Sequence, residues 1–152
     1  MKKVTPGGRR RIRKASIADV AAITEIGKEC FPASDISEEK TLSRISRGHV
    51  IFICEIEGKM AGFSDILLGL TRASVSGIAT RKEFRGLGIA TSLLEHSISL
   101  AKKTGKLSVS LRVAARNLRA LNIYEKLGFS VVKRKARRDG RIVYTMVRNF
   151  ET

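Results

Sequence analysis

Two closely spaced glycines, in the run Arg85, Gly86, Leu87, Gly88, Ile89, Ala90, stand where a strand-like stretch at 71–80 gives way to a helical pattern. A chain that leaves a strand through glycines and enters a helix within a few residues builds a strand–loop–helix unit, which restricts the fold to an α/β arrangement. The first turn of a helix leaves backbone N–H groups without partners, and their aligned dipoles attract anions. Arg85 adds a fixed positive charge at the mouth, so the run is a candidate cradle for a diphosphate. The alternative is an ordinary tight connection in which the glycines only relieve crowding. Two familiar phosphate motifs do not apply. A P-loop needs Lys and then Ser or Thr after its second glycine, but Ile89 and Ala90 follow Gly88. A dinucleotide fingerprint needs an acid about 20 residues on, and no Asp or Glu lies between Glu95 and Glu125. The cations Arg81, Lys82, Arg85, Lys102, Lys103 and Arg116 are expected to flank the cradle, a setting for a polyanionic cofactor.

With 152 residues, 43% of them hydrophobic, the chain can build one core that buries about 70% of the unfolded surface. The expected organisation is a basic N-terminal arm at 1–10 and a single domain at 11–150. The basic start runs into Ala15, Ser16, Ile17, Ala18 and Asp19 rather than an apolar stretch, and nothing approaches the ~20 apolar residues of a membrane span. A cytoplasmic protein without membrane association is expected. Cys30 and Cys54 are too few and too far apart for a disulfide framework or a zinc site, and His49 and His96 form no ligand pair, so no metal is expected.

The 30 Lys and Arg against 14 Asp and Glu give a net charge of +16, which implies anionic company. One cluster is N-terminal (Lys2, Lys3, Arg9, Arg10, Arg11, Arg13, Lys14) and one is late (Lys133, Arg134, Lys135, Arg137, Arg138, Arg141). Such clusters can contact ribosomal or other nucleic acid through phosphates. Equally, they are a solvated surface of the sort thermophile proteins carry, with which the absence of Gln agrees. Two Tyr and no Trp supply few stacking platforms for single strands.

Strand and helix patterns alternate along the chain. A first strand is expected at 12–15, then a helix opened by Ser16 and Asp19, running through Val20, Ile23 and Ile26 and closed by Pro32. Ser37, Glu38 and Glu39 open a short second helix ending near Gly48, and a hairpin at 50–55 and 59–64 turns at Glu57 and Gly58. After the strand at 71–80, Ile89, Leu93, Leu94, Ile98 and Ala101 mark one face of a long helix stopped by Gly105. A strand at 108–113 precedes a helix capped by Asn117 and ended by Gly128, and the tail is a hairpin, 130–135 with 142–147, turning near Asp139 and Gly140.

This order and these residues resemble the GNAT acetyltransferases. The run 85–90 matches their RxxGxA cofactor signature. Asn117, Ala120, Tyr124, Leu127, Gly128 and Phe129 match their later signature, an Asn, then an Ala, then YEKLGF. The resemblance extends over 12–148. Within that superfamily, Phe31, Pro32, Ala33, Ser34 and the segment 111–129 look most like the ribosomal-protein alanine N-terminal acetyltransferases. The resemblance implies a mixed, twisted sheet of six to seven strands, helices on both faces and a splayed parallel strand pair. It implies that Ile78, Ala79 and Thr80 lie along the pantetheine arm of acetyl-CoA, with the diphosphate on Arg85, Gly86, Leu87, Gly88, Ile89, Ala90 and Thr91. Asn117 would hydrogen-bond the cofactor arm, and the Tyr124 hydroxyl would serve as general acid for the departing thiolate. Without the cradle beside them, Asn117 is simply a helix cap and Tyr124 a core aromatic.

The chain departs from these relatives at the base. Where they carry a Glu five residues before the Asn, in a segment reading LEVR, this chain has Leu111, Arg112, Val113 and Ala114, and an arginine cannot accept a proton near neutral pH. The strand ahead of the cradle, Arg72 to Ser76, holds no carboxylate either. Asp35, between the first two helices, is the remaining candidate base, with a surface-loop role as its alternative. The late hairpin has Lys135, Ala136 and Arg137 where the relatives carry the paired tyrosines of their peptide channel. The expected function is acetyl transfer from acetyl-CoA to a protein or peptide amine by direct attack, with the basic clusters pointing to association with ribosomes. Two alternatives stand beside it: a weakened acyl-CoA-binding module docked on nucleic acid, and an acetyltransferase for a small anionic amine. Arg112 is assigned to the acceptor side.

Overall fold

The computed structural model describes residues 9–151, so most of the basic arm lies outside the described residues. The elements are β1 (Arg10–Lys14), α1 (Val20–Cys30), α2 (Glu38–Ser46), β2 (His49–Ile56), β3 (Lys59–Leu68), β4 (Ala73–Thr80), α3 (Ile89–Lys103), β5 (Ser108–Ala114), α4 (Leu118–Lys126), β6 (Ser130–Ala136) and β7 (Ile142–Asn149). Seven strands form one sheet in the order β1-β2-β3-β4-β5-β7-β6, antiparallel throughout except for β4 beside β5. Arg10 and Arg11 pair with Ile56 and Glu55, so the sheet begins inside the stretch expected to be an arm.

Helices cover both faces, which is why β2 reads as a nearly continuous apolar run rather than an alternating one. Phe52, Cys54 and Ile56 point into one core with Phe84, Leu93, Leu94 and Ile98, while Ile51 and Ile53 point into a second with Ile23, Ile26 and Phe63. The first core lies under α3 and α4, the second under α1. Strand β6 is exposed along its whole length and is rich in cations, which discourages pairing with another chain at that edge. Among the described residues no helix is long and apolar enough to cross a membrane.

Ser16 and Asp19 form the expected capping box, but it opens a single 3-10 turn, Ile17–Asp19, before α1. The Asp19 carboxylate also takes two hydrogen bonds of 2.8 Å from the Arg13 guanidinium, whose Nε reaches Glu55 at 2.6 Å. These donors hold the Asp19 carboxyl at a pKa of about 2 against an ordinary 3.8. Because the folded-state value is depressed, the stabilisation is present above about pH 4 and disappears as pH falls toward 2. Asp19→Asn should therefore cost about 2 kcal/mol at neutral pH and almost nothing below pH 2. Urea midpoints of the two proteins across that range provide the check, and a pH-independent difference would contradict it.

Candidate active site

The two parallel strands at the centre of the sheet touch only briefly. β4 and β5 pair at Ala73↔Val109 and Ser74↔Ser110 and no further. Beyond that point β3 holds β4 and β7 holds β5, so the two diverge. A bulge in β4 assists the divergence: the register passes from Ile66↔Val75 to Asp65↔Gly77, leaving Ser76 without a partner. A bulge bends its strand and increases local twist. A cleft of about 400 Å3 opens beside the diverging strands, lined by Ile78, Ala79 and Thr80 of β4, the start of α3, and Asn117 and Tyr124 of α4.

The glycine run forms one wall. Gly86 and Gly88 have φ of 82° and 74°, left-handed values that L side chains adopt at a cost of about 1–2 kcal/mol. Crowding does not explain them, because an added Cβ would meet nothing closer than Arg119 Nη2 at 3.9 Å or Arg10 Nη1 at 4.0 Å. The glycines are required by the turn, and the turn leaves its outer side open. The first bond at this end of α3 runs from Ser92 N–H to Gly88 O, so the amides of Ile89, Ala90 and Thr91 have no partner within the helix. Gly88, the N-cap, has no side chain to satisfy them. Leu87 turns inward onto the core, so of the run 85–91 it alone does not line the cleft.

The surrounding charges differ from expectation. Arg85 lines the cleft, with its Nε 3.4 Å from Thr80 O. Arg119 lines it too, and Arg10 braces the cradle by donating to Ser92 Oγ at 3.2 Å and to the Leu87 carbonyl. Neither Arg10, read in the sequence as part of the N-terminal basic cluster, nor Arg119 was among the cations expected to flank the cradle. Conversely, Arg81 is engaged with Glu25 at 3.3 Å and Met60 O at 3.2 Å. Lys102 and Lys103 lie at the far end of α3, about 20 Å from the cradle, where the Lys102 ammonium stands over the Phe150 ring. Lys82 and Arg116 are exposed outside the cleft lining.

Asn117 serves as the N-cap of α4, its Oδ1 accepting from Ala120 N–H at 3.2 Å. The cap role and the cleft-lining position coincide: the acceptor oxygen is used by the helix and the side-chain NH2 remains for the cleft. Tyr124 packs against Phe129 with ring centroids 6.2 Å apart, and burial pushes its phenol above the ordinary value. The hydroxyl is thus protonated at neutral pH and able to donate.

A second cavity of about 410 Å3 lies on the α1–α2 side of the sheet and meets the first at Phe31 and at Gly77–Ile78. Asp65, the register partner of Gly77, lines it and is 1% exposed. Its carboxylate binds Arg44 Nη1 at 2.9 Å and His49 Nδ1 at 2.7 Å, tying α2 to the sheet. The sequence signal for this group was an acid within the apolar stretch Phe63 to Leu68. Asp35 lines the same cavity, but its side chain is 88% exposed and paired with Lys40, whose ammonium holds the carboxyl below the usual range. Arg112 is exposed on β5 and reaches neither cavity lining. Among the described residues no three His, Cys, Asp or Glu gather as a metal site.

The model of the Acetyltransferase (GNAT) family matches residues 20–129, more than half of the chain. The chain belongs to the GNAT acetyltransferase family. Its seven-stranded mixed sheet, two helical faces and splayed parallel pair are the GNAT fold. It is 33% identical over 94 residues to the ribosomal protein bS18-alanine N-acetyltransferase of Escherichia coli, covering 62% of this chain and 64% of that one. The crystal structure of the S18 enzyme from Escherichia coli superposes with a TM-score of 0.85 at 26% identity over 95% of this chain and 96% of that one. An N-alpha-acetyltransferase of Sulfurisphaera tokodaii is 28% identical over 151 residues and 90% of each chain. In sequence, the chain spans less than two thirds of the Escherichia coli relative, and 38% of an N-acetyltransferase from Methanocaldococcus jannaschii. An N-acetyltransferase from Thermoplasma acidophilum, solved in complex with coenzyme A, shares the GNAT fold at 21% identity and a TM-score of 0.78, with 93% of this chain and 99% of that one covered.

Proposed function

We propose that this chain transfers an acetyl group from acetyl-CoA to the amine of a protein or peptide, most simply an N-terminal α-amine such as those acetylated by the named relatives. The observation that carries the proposal is the splay of β4 from β5, with a glycine cradle on one wall and a half-buried phenol on the other. In this reading the unpartnered amides of Ile89, Ala90 and Thr91 receive the diphosphate, with Arg85 and Arg119 balancing its charge. The free backbone edge of Ile78, Ala79 and Thr80, turned toward the vacated β5 side, pairs with the amides of the pantetheine arm, and the Asn117 NH2 donates to the same arm.

An ammonium has no lone pair, so the acceptor must lose a proton before it attacks the thioester carbonyl. The acceptor enters from the second cavity, which meets the cleft at Gly77. Tyr124 then donates its proton to the departing thiolate. Asp35 is a poor proton acceptor, because Lys40 stabilises its ionised form. Proton removal therefore falls to water in the open cavity. The N-terminal cations Lys2, Lys3, Arg9 and Arg11 support association of such an enzyme with ribosomal RNA through phosphates.

Melting the protein with and without acetyl-CoA tests the cofactor assignment. Ligand at a hundred times its dissociation constant should stabilise by about 2.7 kcal/mol. Ala90→Asp is the discriminating variant: an acid in the first turn suits the helix dipole, so the fold survives, but it opposes a diphosphate. A valine at Gly88 would instead be strained by φ alone. No stabilisation of the native protein, or equal stabilisation of Ala90→Asp, would count against the site. Stabilisation without thiol release on any amine would identify a binding module rather than an enzyme.

A further inference from the structure

The sheet face opposite α3 is only partly covered. α1 and α2 pack on β2, β3 and β4, while β5, β7 and β6 continue beyond them with Arg112, Ala114, Lys133 and Lys135 exposed. The register aligns these cations. Arg112 of β5 is opposite Thr145 of β7, and Thr145 is opposite Lys133 of β6. One step along, Ala114, Val143 and Lys135 form the next row. Paired residues project to the same side of a sheet, so Arg112, Lys133 and Lys135 share the open face, within about 10 Å across the strands. Leu111 and Val113 point the other way, into the core under α3, which places Arg112 on the α1–α2 side. Arg112 is two residues beyond the last β4–β5 pair, as Ser76 is on β4, so the rows begin at the rim of the splay.

These charges are not neutralised from within. Among the described residues none of the three makes an ion pair, and the one acid from 126 to 149, Asp139, is engaged by Arg141 at the hairpin tip. We propose that this open face binds an acidic segment of the acceptor polypeptide, the residues immediately following its reactive amine. The proposal rests on the acetyl-transfer reading and adds the substrate class. An extended chain rises about 3.3 Å per residue, so three residues beyond the amine span the row from Arg112 to Lys133. A peptide fits better than a nucleic acid, because the face between the cations carries Val143, Thr145 and Val147 and no aromatic ring on which a base could stack. Carboxylates in the acceptor also explain how a cation is tolerated at 112: they neutralise it when the amine arrives.

The test compares two peptides with the same first residue, acidic or basic at positions two to four, using the native protein, Arg112→Ser and Lys133→Ser/Lys135→Ser. Selectivity is read as the ratio of kcat/KM values at low and high salt. Binding of the labelled acidic peptide in the presence of CoA is read by fluorescence anisotropy, with an RNA oligonucleotide as competitor. The native protein should favour the acidic peptide about tenfold at low salt, lose that preference as salt rises, and lose most of it in either variant. Equal selectivity in native and variant proteins overturns the proposal. So does RNA binding that the double variant abolishes while peptide selectivity stays unchanged, which would assign the face to nucleic acid. Should no peptide be acetylated although acetyl-CoA binds, the transfer reading fails, and the anisotropy alone decides whether the face takes an acidic chain.

Discussion

Tyr124→Phe should lower the rate of acetyl transfer by about 10- to 1,000-fold while leaving acetyl-CoA affinity nearly unchanged. The substitution removes one hydroxyl and keeps the ring that packs on Phe129, so the walls of the cleft retain their shape. The loss should fall on kcat, measured where chemistry limits turnover, because a proton given to a departing thiolate matters in the transition state and not in the bound ground state. The pH dependence separates this role from packing. Burial raises the phenol above its ordinary value, so the acid form persists through neutral pH; native activity should fall at low pH as the acceptor amine is protonated, and fall again on the alkaline side of that value as the phenol ionises. Tyr124→Phe should lack the alkaline decline. An unchanged kcat would make Tyr124 a packing residue alone.

Gly62→Ala should destabilise the fold by about 2–3 kcal/mol and weaken acetyl-CoA binding in the molecules that remain folded. A Cβ at Gly62 would stand 2.4 Å from the Ala79 carbonyl oxygen and 3.2 Å from Thr80 Cα, so backbone must move. Gly62 is the register partner of Thr80, and the strand that gives way is the one lining the cleft. The methyl therefore acts at a distance from the cradle by displacing Ala79 and Thr80. Denaturant midpoints with and without ligand report both effects. A variant of native stability and affinity would show that β3 and β4 separate there without cost.

Much of the site was legible because its physics is local. Gly86 and Gly88 announce a tight strand-to-helix entry, Asn117 announces a cap, and the spacing of Leu121 and Tyr124 announces a helix face. The errors fall where burial depends on distant partners. β3 was expected to end at Ser64, yet it continues through Asp65 to Leu68. Arg44 from α2 and His49 from β2 satisfy that carboxylate inside the fold. Similarly, Arg10 looks like the end of a basic arm but opens an edge strand, from which its guanidinium reaches Ser92 and the Leu87 carbonyl.

The amino-acid order by itself determined the succession of strands and helices, the conformation of the glycine turn, and the family to which the chain belongs. Each follows from backbone preference, capping or period over a few residues. Only the tertiary structure decided which groups share a site. The splay depends on β4 and β5 being held by different neighbours, β3 on one side and β7 on the other, and no local pattern encodes that competition. The same holds for the cations. Lys102 belongs to the α3 helix that the cradle opens but ends about 20 Å away, because a helix rises 1.5 Å per residue. Arg10, remote in sequence, reaches the cradle, and Arg112, Lys133 and Lys135 fall into rows only through register. Charge is a property of residues, whereas an electrostatic site is a property of distances, and strand pairing sets those distances.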